Sequence, residues 1–435
     1  MFSEFPWLQN RKIIIFSVII DLFLVLILNF KIIQYIFINY LNIFILMIFM
    51  WLFSSYIIGR YHESFKNSIR YFFSHIFKTL IIFVMLYMLL KINIILDYRI
   101  YDLLLISKIK IINLIKISVL ISSVQLILKI IFKDRRKLIF ICDPKEYDFL
   151  KKIESFKKKS YLKNYIDINN LTIQDFQDLN LFNTIILSSV TSTNLLIELK
   201  KTGISCQTFN SWCEDNLFLI PIKFINNKEI LSIEDLISPN QLQNRIKKIG
   251  DFSFALILLV VTIPFILLAA LIIKFEDKGP VIFSQIRTGF NTNQFKIFKL
   301  RTMSDKSKSI WAKYSDPRIT KTGKFLRKIH LDELPQLINV LRGEMSLIGP
   351  RPEIPSIENK LLENIQNYYY RYSVRPGLSG WAQVNYKYGN SIEDTEIKLS
   401  YDFYYIKNYS LGLDLLILMK TLRQVLTAKG SIAKV

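Results

Sequence analysis

Cysteine, histidine and acidic residues are scarce in this chain of 435 residues. The three cysteines, Cys142, Cys206 and Cys213, are odd in number and lack the spacing of a metal site, which indicates reduced cytosolic thiols rather than disulfides. Lys and Arg number 57 against 35 Asp and Glu, giving a formal net charge of +22. No arginine-rich arm or zinc-finger spacing accompanies this charge, and the cations flank apolar segments. The composition therefore indicates binding to anionic lipid head groups and no nucleic-acid partner.

Long apolar runs predict an N-terminal membrane part over residues 1–133. Residues 13–30, 35–58, 71–90 and about 111–132 are each long enough to cross roughly 30 Å of hydrocarbon as a helix. No small-residue cleavage site follows the first run, so we expect it to remain as an anchor. If all four cross, the Lys and Arg residues that precede the first run, lie between the second and third, and follow the fourth are on one side, which the positive-inside rule makes cytoplasmic. Asp21, inside the first run, is interpreted as a residue whose hydrogen bond packs helices together.

Residues 134–240 have a different pattern, in which short apolar runs alternate with polar helical stretches. Strands are predicted at 138–142, 165–168, 184–188 and 204–209, and this alternation is typical of a small parallel α/β sheet. A nucleotide site would need glycines at the first strand–helix turn, but this turn reads Cys142-Asp143-Pro144-Lys145. We therefore expect a degenerate Rossmann-like domain that acts as a spacer or an oligomerisation module.

A second kind of membrane segment is predicted at about 252–274. Lys and Arg lie on both sides of this uncharged run, which is unfavourable for a simple crossing. Pro264, near its midpoint, removes a backbone hydrogen bond and breaks or kinks a helix. Both features indicate a re-entrant helix that enters and leaves by the cytoplasmic face. The alternative is an ordinary fifth span with a proline kink, which would place the remaining residues outside the cell.

The residues best suited to catalysis follow this segment. Asp332 and Glu333 lie at the start of a predicted helix whose buried stripe is formed by Leu334, Leu337, Ile338 and Leu341. A carboxylate there is stabilised by the helix dipole and can attack phosphorus, and an adjacent pair of carboxylates suits Mg²⁺ shared with substrate phosphates. The plain alternative is that both are ordinary acidic residues of a first helical turn.

Four cations are candidates for phosphate binding. Lys299 and Arg301 fall on one face of a predicted strand that follows a turn at Thr288-Gly289. Arg351 lies between Pro350 and Pro352, and Arg375 precedes Pro376-Gly377. Prolines restrict the backbone around each arginine, and its planar guanidinium suits phosphate oxygens.

Five motifs resemble those of the bacterial sugar transferase family, the polyprenyl-phosphate hexose-1-phosphate transferases or monotopic phosphoglycosyl transferases. They occur in the family's order and spacing between about Lys247 and Ser431, and they are Lys299-Leu300-Arg301-Thr302-Met303, Asp316-Pro317-Arg318-Ile319-Thr320, Leu331-Asp332-Glu333-Leu334-Pro335-Gln336-Leu337, Met345-Ser346-Leu347-Ile348-Gly349-Pro350-Arg351-Pro352 and Val374-Arg375-Pro376-Gly377-Leu378-Ser379-Gly380-Trp381-Ala382-Gln383-Val384. The N-terminal part resembles the longer members in architecture.

The resemblance implies an α/β membrane protein with a four-helix transmembrane bundle, a small Rossmann-like domain, and a re-entrant helix joined to an α/β catalytic domain over 241–435. It implies transfer of a sugar-1-phosphate from a UDP-sugar to undecaprenyl phosphate at the cytoplasmic face of the inner membrane, by a homodimer. Asp332 would be the nucleophile, Glu333 its partner at Mg²⁺, and Pro264 the membrane break. Lys299, Arg301, Arg351 and Arg375 would line the phosphate site, and Asp402 and Asp414 match acidic positions of the family.

Several alternatives remain open from the residues alone. A phosphohydrolase acting on lipid diphosphates would use similar groups, and a catalytically silent scaffold for polysaccharide export would keep the architecture. Glucose or galactose at the start of exopolysaccharide, capsule or O-antigen assembly is the expectation from the resemblance, while an N-acetylated or deoxy sugar stays possible. Asp402 and Asp414 could be structural, with Asp414 making a local salt bridge on an amphipathic helix.

Overall fold

The computed structural model describes residues 12–28, 41–60, 68–96, 111–131, 138–153, 156, 164–170, 182, 184–189, 204–225, 241–277, 279–304, 318–386 and 391–427. The chain divides into two compact units, Met1–Arg135 and Arg136–Val435. The division lies close to the predicted end of the membrane part at residue 133. The further boundary predicted at residue 240 stays a prediction, because both of its sides belong to the second unit.

The described residues of the first unit form four apolar helices: α1 (Lys12–Leu28), α2 (Leu41–Ile58), α3 (Ser68–Leu96) and α4 (Ile111–Ile131). Over its described residues each predicted membrane segment thus lies on one helix, while residues 29–30, 35–40 and 132 of those segments lie outside the described part of the chain. The apolar stretches of α2 and α3 are long enough to cross a membrane, whereas those of α1 and α4 are shorter. Helix α3 packs against α2 and α4, and α1 packs against α4. Crossing of the membrane by all four helices stays a prediction.

Asp21 joins three parts of this unit through polar contacts. Its Oδ1 accepts a hydrogen bond from Arg60 Nη2 at 2.9 Å and another from Gln125 Nε2 at 3.2 Å. Both charged side chains are fully buried, so each compensates the other where water is absent. The packing role predicted for Asp21 is confirmed, with an ion pair added to the hydrogen bond.

The second unit begins with a four-stranded parallel sheet of order β2-β1-β3-β4, formed by β1 (Leu138–Cys142), β2 (Tyr165–Asp167), β3 (Thr184–Leu187) and β4 (Ser205–Thr208). Helix α5 (Pro144–Lys152) follows β1, and α6 (Phe209–Leu217) follows β4. All four predicted strands are confirmed to within two residues at each end, because alternating apolar runs between polar helices leave few other ways to bury them.

Glu146 occupies the crevice where the strand order reverses, between the carboxyl ends of β1 and β3. It accepts hydrogen bonds from the backbone N–H of Asp143 at 3.1 Å and of Ser189 at 3.1 Å. In nucleotide-binding sheets this crevice at the first helix receives the ligand phosphates. Here a protein carboxylate takes the amide donors, which agrees with the missing glycines of the turn.

The remainder of the second unit is built on α7 (Gln241–Asp277), a helix of 37 residues. The elements after it are β5 (Ile282–Thr288), β6 (Gln294–Leu300), α8 (Lys321–Lys328), α9 (Leu337–Leu341), β7 (Ser346–Ile348), α10 (Pro355–Asn364), β8 (Gly377–Ser379), α11 (Trp381–Asn385), α12 (Ile392–Lys407) and α13 (Leu411–Leu426). The 3₁₀ helices Leu331–Gln336 and Tyr368–Ser373 precede α9 and β8. Strands β5 and β6 pair antiparallel around the predicted turn at Thr288-Gly289.

Helix α7 includes Pro264 within one α-helical range, so the proline does not end the helix, whereas the alternative of a kink there and the re-entrant path stay predictions. The Thr262 hydroxyl donates to the Leu258 carbonyl at 2.6 Å, a local bond that supports the turn before the proline. Both halves of α7 pack against the elements that follow it in the chain. Ala255 lies in a core cluster with Leu337, and Ala269 lies in one with Leu300. Most of its other apolar side chains are exposed.

The sheet and the catalytic part contact each other within this unit along α12. The indole Nε1 of Trp381 donates to the Phe218 carbonyl at 2.9 Å, and the Ile220 N–H donates to the Ser400 carbonyl at 2.9 Å. Lys407 Nζ lies 2.7 Å from a Glu214 carboxylate oxygen. The Rossmann-like sheet therefore supports the helix that carries Asp402.

Candidate active site

The two predicted catalytic carboxylates lie on the 3₁₀ helix Leu331–Gln336 rather than on an α-helix. Pro335 has no N–H for the α-helical bond to the Leu331 carbonyl, and α9 begins only at Leu337. With the tighter turn the predicted buried stripe is wrong at Ile338, which is 38% exposed, while Leu337 is fully buried. Because the α-helical part is so short, the stabilisation expected from a helix dipole has to come from side-chain cations instead.

Glu333 is held by two of the predicted cations. Its Oε1 accepts hydrogen bonds from Lys299 Nζ at 2.7 Å and from Arg351 Nη2 at 2.7 Å. Burial raises the pKa of Glu333, but the charges and hydrogen bonds of Arg351 and Lys299 outweigh it and hold that pKa well below its usual value. Glu333 is therefore ionised throughout the physiological range.

Asp332 differs from its neighbour. It is 8% exposed. Burial is the largest cause that raises its pKa, and the negative charge of Glu333 is the second, while Lys299 and Arg327 oppose the shift. A carboxylate that lacks full compensation is a stronger base and nucleophile than a solvated one. The pair thus divides into a neutralised carboxylate and a reactive one.

Asn339 explains why Lys299 reaches these carboxylates. Its Nδ2 donates to the Lys296 carbonyl at 2.8 Å, and its Oδ1 accepts from the Phe298 N–H at 3.4 Å. This fully buried amide therefore fastens β6 to α9, directly after the carboxylate helix. A lone Asn in an apolar helix gives a weak signal in the sequence, so its role was not predicted.

The two predicted arginine turns are brought together by parallel pairing of β7 with β8. The Gly377 N–H donates to the Pro350 carbonyl at 2.9 Å, and the Ser346 N–H donates to the Pro376 carbonyl at 2.8 Å. A Cβ on Gly349 would lie 2.3 Å from the Arg375 carbonyl oxygen, so this close approach requires glycine. The side chains diverge, since Arg351 pairs with Glu333, whereas Arg375 lies near Gly343 and interacts with Tyr409.

Arg287, on β5, is a cation near the site that was not predicted. Its Nη1 donates to the Pro352 carbonyl at 3.1 Å, next to Arg351. Burial, followed by repulsion from Arg351, lowers the pKa of Arg287 to about 10, while Glu353 and Glu333 oppose the shift. The sequence pattern that could have identified Arg287 is its spacing of two residues from Gln285, which places both on one face of the strand.

Three of the other predicted site residues are placed differently. Arg301 directly follows the end of β6, and its guanidinium packs against Gly279. Asp402 is buried and accepts from Arg371 Nη2 at 3.2 Å. Asp414 accepts from Lys247 Nζ at 2.7 Å.

Both acidic positions are therefore ion-pair partners of buried cations, and their part in binding the substrate stays a prediction. The local salt bridge proposed for Asp414 is wrong, because its partner Lys247 lies far away in sequence, on α7. Burial is the largest cause that raises the pKa of Asp402 to about 6, against the opposing charge of Arg371. Anions can be kept in such places when each is paired with a cation.

The site offers few oxygen ligands from the protein for Mg²⁺. In the part of the chain that the structure describes, no group of three or more His, Cys, Asp or Glu side chains comes together as a metal cage. Mg²⁺ bound with substrate phosphates needs only one or two carboxylates. Both protein donors to Glu333 use Oε1, so Oε2 and the Asp332 carboxylate supply oxygens that fit such a site.

A model of the bacterial sugar transferase family matches residues 242–428 of the chain. An Aeromonas hydrophila protein named UDP-N-acetylgalactosamine-undecaprenyl-phosphate N-acetylgalactosaminephosphotransferase is 45% identical over 196 residues, which are 44% of the chain and 46% of that protein. A Caulobacter vibrioides protein named UDP-glucose:undecaprenyl-phosphate glucose-1-phosphate transferase is 41% identical over 190 residues, 42% of the chain and 71% of that protein.

A third relative is the uncharacterized sugar transferase EpsL of Bacillus subtilis, 39% identical over 186 residues, 42% of the chain and 89% of that protein. The match therefore covers nearly all of a short relative, but less than half of the length of the Aeromonas protein. The family model begins at the start of α7 and includes every catalytic candidate named above.

Proposed function

Because the chain belongs to the bacterial sugar transferase family, we propose that it transfers a sugar-1-phosphate from a UDP-sugar to undecaprenyl phosphate. The observation that carries the proposal is the division of the acidic pair: Glu333 is clamped by Lys299 and Arg351, while Asp332 beside it keeps a raised pKa. Such a site offers an anionic nucleophile and, next to it, cations for phosphate oxygens.

In the proposed reaction an Asp332 carboxylate oxygen attacks the β-phosphorus of the UDP-sugar. The bond from that phosphorus to the bridging oxygen breaks, UMP leaves with the electron pair, and the sugar phosphate is held on Asp332 as an acyl phosphate. A phosphate oxygen of the lipid then attacks the same phosphorus and releases the carboxylate. Two displacements at one phosphorus let Lys299 and Arg351 stabilise charge on its oxygens in both.

A Mg²⁺ ion held by Asp332 and Glu333 would neutralise charge on the diphosphate of the donor. Lys299 and Arg351 orient the Glu333 carboxylate for this role and lower the negative potential around the incoming substrate. The pairing also explains why a buried and a half-buried carboxylate are tolerated side by side in one site. Each cation offsets part of the repulsion between them.

The membrane arrangement that we propose places α7 as a re-entrant helix at the cytoplasmic face of the inner membrane. If it were straight, the helix from Ala255 to Ile273 would rise about 27 Å, close to the thickness of the hydrocarbon core, so its length alone would allow an ordinary crossing. Contacts with the catalytic body nevertheless run from Lys247, which pairs with Asp414, to Glu276, which accepts from the Lys321 N–H at 3.1 Å. A crossing helix would draw this polar body into the lipid.

Transfer is tested by supplying the protein in membranes with UDP-glucose, UDP-galactose, UDP-N-acetylglucosamine and UDP-N-acetylgalactosamine in turn. We expect one donor to give a burst of about one UMP per enzyme without acceptor, and continuous UMP release with a lipid diphosphosugar product once undecaprenyl phosphate is added. Release of phosphate from a lipid diphosphate without any UDP-sugar would instead support a phosphohydrolase. The sugar itself, the polysaccharide pathway and the predicted homodimer stay predictions.

The one-sided arrangement of α7 is tested by cysteine labelling. After replacement of the three native cysteines by serine, Leu242→Cys and Phe275→Cys place a thiol at an exposed position near each end of the helix. Both thiols should react with a membrane-impermeant maleimide only in permeabilised cells, since both ends face the cytosol. Labelling of only one of the two in intact cells would show an ordinary crossing, and labelling at Phe275→Cys would in addition place the catalytic residues that follow it away from cytosolic UDP-sugars.

The pH dependence of kcat/KM tests the electrostatics of the pair. Asp332 must be ionised to attack, so the rate should fall on acidification through its raised pKa. Glu333→Gln removes a negative charge that contributes to this elevation, so the acid limb should move to lower pH although the maximal rate also falls. An acid limb that stays in place or moves upward would contradict the assignment.

A further inference from the structure

Arg371 is a buried cation that neither the sequence motifs nor the proposed reaction uses. It lies on the 3₁₀ helix Tyr368–Ser373 and is 7% exposed. Its Nη2 donates to the Arg351 carbonyl oxygen at 2.8 Å and to Asp402 Oδ2 at 3.2 Å. Its Nη1 donates to the Tyr368 hydroxyl.

These bonds connect three separate segments through one planar group. The guanidinium has donors fixed in a fork, so acceptors on α12, on its own helix and at the Arg351 backbone are held in one geometry. The bond to Arg351 goes to its carbonyl, while the Arg351 side chain extends to Glu333. Arg371 thus contacts the backbone of Arg351, and the Arg351 side chain contacts Glu333, so only Arg351 lies between Arg371 and the carboxylate pair.

Asp402 determines the orientation of that fork. It lies on α12, two residues after Ser400, whose carbonyl accepts the bond from Ile220 of the Rossmann-like part. Asp402 is 4% exposed, so it is shielded from the solvent. The contacts therefore run from the sheet through α12 to Asp402, Arg371 and the backbone of Arg351.

We propose that Arg371, oriented by Asp402, is a positioning residue that holds Arg351 against Glu333. The role of Asp402 then changes from a phosphate-site residue to a support for the arginine clamp. The inference rests on the proposed function, because Arg351 matters only if its charge serves the phosphate reaction. It also assigns a structural role to the Rossmann-like part, because the contact of Ile220 with Ser400 supports α12, the helix that carries Asp402.

The test measures kcat, KM and the Kd of UDP for Arg371→Lys and Asp402→Asn, each alone and combined with Arg351→Ala. Both substitutions keep a hydrogen-bonding side chain, because an apolar residue at 371 would leave Asp402 buried without its partner and could prevent folding. Lys cannot reproduce the fork. With Arg351 intact, we expect kcat to fall by about 10- to 100-fold for Arg371→Lys and less for Asp402→Asn, with a smaller change in KM.

In the Arg351→Ala background the same substitutions should change kcat by less than about 3-fold, because the group through which they act is gone. Equal losses in both backgrounds would overturn the positioning role and indicate direct substrate contact or loss of folding. Asp148→Asn, which alters an exposed ion pair with Lys151 on α5, is the control and should leave kcat unchanged in both backgrounds. Absence of both UDP binding and UMP release in the unmodified protein would instead refute the proposed function, and this inference with it.

Discussion

Asp332→Asn should reduce lipid-linked product formation by at least about 10⁴-fold, because an amide cannot form the acyl phosphate on which both displacements depend. Each factor of ten corresponds to about 1.4 kcal/mol of activation free energy, so the expected loss is about 5.5 kcal/mol. Incubation with a UDP-sugar labelled in its β-phosphate should leave label on the unmodified protein in the absence of acceptor and none on the variant. Activity and labelling together provide the measurement.

We also expect that Asp332→Asn does not destabilise the protein. Asn is close in shape to Asp, and it removes a buried charge that repels Glu333. The unfolding temperature of the variant should therefore be unchanged or higher, as found where a reactive site is held at a cost in stability. Asp251→Asn is the control: this carboxylate bonds the Ser346 hydroxyl at 2.6 Å, away from the carboxylate pair, and its loss should leave most of the activity. UMP release and lipid product retained by Asp332→Asn would disprove the nucleophile assignment.

Arg351→Ala should reduce kcat by about 10²- to 10³-fold, the usual effect of removing one donor that stabilises charge in a transition state. In addition Glu333 loses one of its two cationic partners. Its negative charge is then less compensated, and this further disfavours the approach of a diphosphate. Steady-state kinetics of UMP release with undecaprenyl phosphate as acceptor provide the measurement.

Substitution of a second arginine distinguishes the specific role of Arg351 from the general effect of removing a positive charge. Arg342 lies in the same part of the chain with its guanidinium 5.2 Å from the centre of the Phe298 ring, and Arg342→Ala should alter kcat by less than about 3-fold. If the two variants lose activity to the same extent, the clamp on Glu333 has no special role. Arg351→Lys should recover only part of the loss, since a single ammonium cannot reproduce the fork.

The elements and many of the site residues were predictable from residue order alone. The four strands of the sheet follow from apolar runs bounded by polar stretches, and Asp332, Glu333, Lys299 and Arg351 follow from motifs with characteristic spacing. Pro335 lies within one of those motifs, yet its effect on helix type was missed, because the apolar spacing also fitted an α-helix. A local pattern was correctly identified here, and its geometry was not.

The contacts that orient the site were not predictable. Arg371 binds a backbone carbonyl of Arg351, and a carbonyl has no side-chain identity that a motif could reveal. The partners Lys247 and Asp414 lie 167 positions apart, so their pairing depends on how α7 packs against α13. Arg301 has the same alternation as Lys299, but its guanidinium packs against Gly279, a contact that no local pattern reveals.

Composition and spacing are sufficient to establish apolar helices, a parallel sheet and an acidic pair among cations, because each depends on residue type and local period. The different charge states of Asp332 and Glu333 arise only when the chain folds. Lys299 comes from β6 and Arg351 from the turn after β7, and both reach the same oxygen of Glu333. Electrostatic energy depends on distance and burial rather than on position along the chain, so packing determines which of two adjacent carboxylates is neutralised and which is reactive.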